Sequence, residues 1–529
     1  MKRRIGLLVI IFLILSIPLY AQQKIEWQHT LGGDSVDQII SIIPTSDGGF
    51  ATIGFSMSDF GDILHNHGGF DVWVVKLSQA GIPEWQKLYG GSGDDQAGYI
   101  IQTSDGGFAF CGFSNSPDGD VHGLHGTDGS QDVWFVKLSS TGAIEWEKTI
   151  GGTGIDLGFA VVQDADSAYC FAGSTASHNG DFVRADTSEY FDLCAVKLDK
   201  TGNIQWSETY GGSADDYGFN MIKTSDGAYA ICGYTNSHDG DVQGQHGGED
   251  AWVVKLSASG GLLWQHCYGG SGHEEANTLI EDSDHGLTIA GWSNSSNGDL
   301  FPGFGDDDLW VFHTDSTGSF RWGNLFGGSD LDEAHAIIHS ASGGYIIAGH
   351  TESNDVEVTG NHGSSDVWVI EVSSDGGLVW QKTFGGSKYD HAYSVVPSSD
   401  GTFVFAGYTE SNDGDVSGLH GQNFNSDGWV VKLSPASSVR SVNDLNSSSV
   451  YPNPSTGLVT MNYELKKAVH IQAEVYDLLG VRIALLGEED AAQGANSFSR
   501  DLSYLSSGQY ILSLRGDSFS LTKPFIITK

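Results

Sequence analysis

Tryptophan returns along this chain at a nearly fixed interval. One series falls at Trp27, Trp85, Trp146, Trp206, Trp264, Trp322 and Trp380, with steps of 58 to 61 residues. A second runs Trp73, Trp134, Trp252, Trp310, Trp368 and Trp429, with Cys194 in the missing place. A period of this length makes the chain an array of one supersecondary unit, and the unit sets the fold. Between Gly90 and Ile150 it reads as four short strands. A Gly-Gly step with the acidic pair Asp94-Asp95 leads into the run from Ala97 to Thr103. Ser104-Asp105-Gly106-Gly107 then makes a tight turn, where glycine supplies positive φ. Phe108 to Ser114 alternates as a second strand, and a long polar segment, Asn115 to Gln131, follows. Asp132 to Leu138 is rich in β-branched and aromatic residues, and Ile144 to Ile150 is the fourth strand. No stretch keeps a helical period over three turns.

Four strands per unit and seven units predict an all-β chain, a seven-bladed β-propeller. The ends of the array carry the argument for closure. It begins with a lone fourth-type strand, Ile25 to Leu31, and ends with a lone third-type strand, Gly428 to Leu433. Pairing them completes the seventh blade and removes the free edges that an open solenoid would have to cap. The unit resembles bacterial propeller repeats of about this length found in secreted proteins. It lacks the WD and kelch signatures, and the resemblance names a fold more than an activity.

In an up-and-down meander the Gly-Gly loops and the long loops share one face, and the tight turns share the other. The chain has 25 Lys+Arg against 67 Asp+Glu, a formal charge of −42. About 40 of those carboxylates fall in the Gly-Gly and long loops, with few cations among them, so that face should attract cations and repel anions. Nucleic acid is excluded as a partner, because phosphate binding needs a basic stripe. Within the long loop, Asn115-Ser116-Pro117-Asp118-Gly119-Asp120-Val121 recurs with Asp239-Gly240-Asp241 and Asp413-Gly414-Asp415. Oxygen ligands in a glycine-containing loop suit Ca²⁺, which makes Asp118, Asp120, Asp239, Asp241, Asp413 and Asp415 candidate metal ligands. The competing reading is an Asx-type turn in which these aspartates cap local N–H groups.

An Asp precedes the third strand in every unit, at Asp71, Asp132, Asp192, Asp250, Asp308, Asp366 and Asp427. Seven copies of one role point to architecture, namely accepting hydrogen bonds from loop N–H groups. The His-Gly step at His67, His125, His246, His362 and His420 is read as loop packing too. Zinc binding or catalysis needs a unique cluster converging on one point. Two units depart from the pattern. The third has Cys194 for Trp, and the fifth has Trp292 where others have Phe, Tyr or His; such asymmetry marks either a ligand site or drift. The five cysteines, an odd number without a CxxC pair, do not form a disulfide framework.

The ends of the chain speak of destination. Lys2, Arg3 and Arg4 precede an apolar run from Ile5 to Leu19, which reads as a signal peptide over 1–21, cut before Gln22. No later segment is long and apolar enough for a transmembrane helix. The propeller is assigned to 22–434 and a linker to 435–449. The pattern changes over 450–529, where alternating runs predict a small β-sandwich. Its residues resemble the type A C-terminal sorting domain of the type IX secretion system. The match is carried by Tyr451-Pro452-Asn453-Pro454 with Gly457, by Val475-Tyr476-Asp477-Leu478-Leu479-Gly480, by Gly508 and Tyr510 in Leu505-Ser506-Ser507-Gly508-Gln509-Tyr510, and by Lys529 at the end.

That resemblance implies export through the periplasm of a Gram-negative bacterium, an outer-membrane translocon as partner of 450–529, and release or display at the cell surface. For the propeller, the expectation is a non-catalytic binding module for a glycan, a protein or a cation-bridged ligand. The alternative is an extracellular polysaccharide-active enzyme using the acidic face; no unique catalytic constellation stands out in the sequence.

Overall fold

A computed structural model describes residues 23–434 and 445–529, apart from 64, 127–128, 183–188, 301–302, 421–424, 452–454, 466–468, 477–481 and 517–518. The expected signal peptide, Pro452, Asn453, Pro454 and residues 477–480 lie outside the described residues.

Residues 25–433 form seven four-stranded antiparallel sheets. The second blade is typical: Asp95–Gln102, Phe108–Ser114, Asp132–Leu138 and Ile144–Ile150, hydrogen-bonded in that order. The first strand begins two residues earlier than the sequence pattern suggests, so its leading carboxylate, Asp95 here, belongs to the strand. Six blades are continuous in sequence. The seventh joins Asp390–Pro397, Phe403–Thr409 and Asp427–Leu433 to Ile25–Leu31. This is the closure expected from the two lone strands, in register from Ile25 opposite Leu433 to Leu31 opposite Gly428.

The same side-chain bond recurs at the seam. In ordinary blades the third-strand Trp donates from Nε1 to a fourth-strand acceptor, as in Trp73 to Gln86 at 3.0 Å and Trp368 to Gln381 at 3.0 Å. Across the seam Trp429 donates to Gln28 at 2.7 Å. Third strands are buried from end to end, and their tryptophans fill the space between blades. The core is therefore a ring of interblade clusters. All five cysteines are free and buried within it. First strands touch the first strands of both neighbours, so they line the central channel. Their N-terminal ends open on the face of the Gly-Gly and long loops.

Residues 445–529 form a separate unit of two sheets, one of three strands and one of four. Val459, Met461 and Phe498 of the first sheet meet Ile471, Val475, Leu512 and Phe525 of the second in one core, a small β-sandwich. Leu445–Tyr451 is a strand, paired with Leu458–Leu465. Among the described residues no helix is long and apolar enough to cross a membrane.

Candidate functional site at the mouth of the channel

The acidic face is built by loops that hold one another. Asp118 accepts from Ser92 N–H at 2.7 Å and from Ser92 Oγ at 3.0 Å, while Asp120 N–H donates to Gly90 O at 2.9 Å. Asp239 accepts from Ser213 N–H at 2.8 Å and Asp413 from Ser387 N–H at 2.8 Å. Asp241 and Asp415 donate from N–H to Gly211 O and Gly385 O, both at 2.8 Å. The carboxylates thus tie each long loop to a Gly-Gly loop 26 positions away rather than to local N–H groups. Among the described residues none of these six joins a group of three or more metal-ligating side chains. Gly119 between the two aspartates has φ +71°, and a Cβ there would lie 2.3 Å from Gly90 O.

The repeated third-strand Asp does what its repetition implies. Asp71 accepts from His67 N–H at 2.7 Å and faces His67 Nδ1 at 2.7 Å. The same double contact joins His125 to Asp132, His246 to Asp250, His362 to Asp366 and His420 to Asp427. The His-Gly histidines are thus loop clamps. Each third-strand Asp also approaches the leading carboxylate of the next blade. A Cβ on Gly90 would lie 2.7 Å from Asp71 Oδ1 and 2.4 Å from Asp95 Oδ2, so glycine is required at that point. These fourteen carboxyl groups, two per junction, are buried. The acid exposed on this face is correspondingly less than the sequence count implies. Burial first, and then the facing carboxylate, pushes Asp71, Asp250 and Asp366 up to about 6.

The cations gather at the opposite face. Lys76 reaches Asp47 at 2.9 Å and Glu84 at 3.2 Å, and Lys137 reaches Asp105 and Glu145, each at 3.0 Å. In five blades the third-strand lysine stands beside the tight-turn carboxylates, away from the loop face.

Against this regular background a position at the channel mouth varies round the ring. It is the cross-strand pair formed by the second residue of the first strand and the sixth of the second. The pairs are Gln38–Phe55, Gln96–Phe113, Leu157–Ser174, Tyr217–Tyr234, Glu275–Trp292, Glu333–His350 and His391–Tyr408. They ring the channel at its acidic end. In blades five to seven they converge. Trp292 Nε1 donates to Glu275 at 3.3 Å, and His335 Nε2 lies 3.1 Å from His350 Nδ1 and 3.6 Å from Glu333. His350 stacks on His391 at 3.7 Å between ring centroids, and His391 Nδ1 lies 3.3 Å from the Tyr408 hydroxyl.

Burial and the neighbouring carboxylates raise Glu275 to about 7 and Glu333 to about 8. Burial lowers His335 to about 4 and His391 to about 3, and holds His350 well below its ordinary value, so the three imidazoles are neutral at pH 7. Beside this group a hollow of about 570 Å³ is lined by Asn294, Asp306, Asp307, Asp330 and Glu352. The sequence reading passed over these histidines, since each occurs once. The substitution of Trp292 at the same ring position was the visible trace of the site.

Residues 449–528 match the family described as the secretion system C-terminal sorting domain. Within it Tyr510 donates from its hydroxyl to Ser506 O at 3.1 Å, Lys529 N–H donates to Ser507 Oγ at 3.0 Å, and Gly457 has φ +158°. The chain is therefore a seven-bladed propeller that carries a type IX sorting domain. That domain implies dealings with the secretion machinery and export to the cell surface or the medium.

No curated protein sequence matches the chain. Several solved structures match it at low similarity. PorZ, an essential bacterial surface component of the type-IX secretion system of Porphyromonas gingivalis, is 11% identical with a TM-score of 0.38; the match covers 94% of this chain and 60% of that one. A glycoside hydrolase family 43 arabinoxylan arabinofuranohydrolase from Bacillus subtilis is 9% identical with a TM-score of 0.30, covering 95% and 96%. A Synechocystis apocarotenoid oxygenase is 14% identical with a TM-score of 0.37, covering 73% and 88%. The chain thus spans about three-fifths of the PorZ chain, and these likenesses concern fold alone.

Proposed function

We propose that the protein is an exported, non-catalytic binding module that holds its ligand over the channel mouth on the acidic face. The ligand class is a glycan, a protein or a cation-bridged ligand. The observation that carries this reading is the contrast between a repeated frame and a varied channel mouth. Loop clamps and junction carboxylates repeat in blade after blade, whereas the pairs at the mouth run from Gln–Phe in the first two blades through Leu–Ser in the third to combinations of Tyr, Trp, Glu and His in the last four. Aromatic faces beside carboxyl and amide groups offer stacking and directed hydrogen bonds together. The sorting domain brings the module to the outer-membrane translocon, and through it to the surface or the medium.

A glycan array and a glycan-degradation screen on residues 22–434 test the reading. The expected result is binding without turnover, weakened roughly 5- to 30-fold by Trp292→Ala, the equivalent of about 1–2 kcal/mol. A second reading, a polysaccharide-active enzyme, is favoured by one feature. Glu275 and Glu333 are neighbouring carboxyls with raised proton affinity, the kind of pair that acid–base chemistry on glycosides uses. Product release from any glycan, abolished by Glu333→Gln, would establish that reading in place of the first.

A further inference from the structure

We infer that Glu333, His335 and His350 form a binding site for one first-row divalent transition-metal ion of the Zn²⁺ class. The ligand atoms of the three side chains lie within 4.8 Å of one another. Ligand atoms 2.0–2.1 Å from a tetrahedral ion stand about 3.3–3.4 Å apart. His335 Nε2 is 3.1 Å from His350 Nδ1 and 3.6 Å from Glu333 Oε2, on either side of that edge length.

The backbone enforces the convergence. His350 lies opposite Glu333 on the paired strand, and His335 is the unpaired residue of a β-bulge between Ala334 and Ala336, which brings its ring to both of them. Two imidazoles and one carboxylate suit zinc and its neighbours rather than calcium, which takes oxygen ligands in larger number.

A second observation points to a ligand. His391 stacks on His350, and its Nε2 is buried without a hydrogen-bond partner. That idle nitrogen, on the ring stacked against His350, is left for an outer partner beside the cluster. The field agrees, because Glu275, Asp307 and Glu352 add negative potential around Glu333. Three protein ligands leave one tetrahedral position for water or a ligand atom entering from the channel.

One other His-carboxylate group of this kind occurs among the described residues, at Asp282, Asp284 and His313, and it has a different explanation. His313 stands where five of the other blades carry the third-strand Lys. Both its ring nitrogens are already held by carboxylates, at 3.1 and 3.3 Å. It is the tight-turn clamp in another form.

The inference does not depend on what the mouth binds. It is tested on the chain from Gln22 onward, purified without a histidine tag, stripped with EDTA and titrated with Zn²⁺ by calorimetry and with Co²⁺ by visible absorption. The expected result is one saturable equivalent with a d–d band of a nitrogen–oxygen site, which Ca²⁺ does not displace. Loss of a direct ligand should weaken binding by more than about 100-fold, since even outer partners are worth 10- to 100-fold. The His335→Ala/His350→Ala double variant should therefore lose the equivalent, and Asp282→Asn/Asp284→Asn should keep it. Should the double variant misfold, Glu333→Gln and His350→Gln, each nearly isosteric, carry the same test. No saturable equivalent in the parent chain, or equal affinity in correctly folded variants of these ligands, would overturn the site.

Discussion

At each blade junction an aspartate from one third strand meets the leading carboxylate of the next blade, away from water. The Oδ1 atoms of Asp71, Asp132, Asp250, Asp308, Asp366 and Asp427 have no hydrogen-bond partner. Burial raises Asp37, Asp71, Asp216, Asp250, Asp308, Asp332 and Asp366 to about 6. An unfolded Asp titrates near about 3.9, so between pH 4 and 6 the folded chain binds more protons than the unfolded one. The contribution of these groups to stability is full below about pH 4 and is lost as pH rises through about 6. His335, His350 and His391 act in the opposite sense. Their lowered values favour the folded state above about pH 6.5, and that advantage fades as pH falls towards 4 and below. The carboxyl groups outnumber them. Calorimetry at constant ionic strength should therefore show a higher melting temperature at pH 5 than at pH 7.5, and a fall over the same interval would contradict the junction electrostatics. The repeated Asp and the His-Gly step were legible because repetition declares a structural role. The channel-mouth histidines were not. A residue that occurs once in a repeat reads as drift until register places Glu333 opposite His350 and His335 two positions along.

Strands and their order were legible for a related reason: the period-2 alternation and the turn glycines recur seven times, and two orphan strands had only each other to pair with. The C-terminal unit offered no such repetition. Leu445–Tyr451 is largely serine and asparagine, and in Gly494–Asp501 only Phe498 is buried, so both lacked the alternating apolar signal and were passed over. The seam yields a prediction at this scale. Trp429 is buried in the closing blade, and its replacement by alanine should cost about 3–5 kcal/mol in a urea titration. Gln28→Ala removes the acceptor of the Trp429 N–H together with the donor to Asp415 O at 2.6 Å, and should cost about 1–3 kcal/mol. If both changes were neutral, the first strand would not be what secures the ring.

For the whole molecule, two compact units with separate cores divide the labour. A chain ending at Ser434 keeps every strand of the ring and loses the unit that carries the sorting signature. It should fold with an unchanged melting transition and accumulate in the periplasm, as fractionation and surface proteolysis would report. Its appearance on the surface would mean that the propeller holds an address of its own. The seam also sets a schedule. The bond from Trp429 to Gln28 spans 401 positions, so the amino-terminal strand emerges first and waits for nearly the entire array before its partner exists. Until then the nascent protein presents two unsatisfied sheet borders, which invite pairing between neighbouring molecules. Such long-range pairing is intrinsically slow. A cell making this protein must hold it apart from its siblings until the last blade arrives, and that need for custody in transit is written into where the circle was cut.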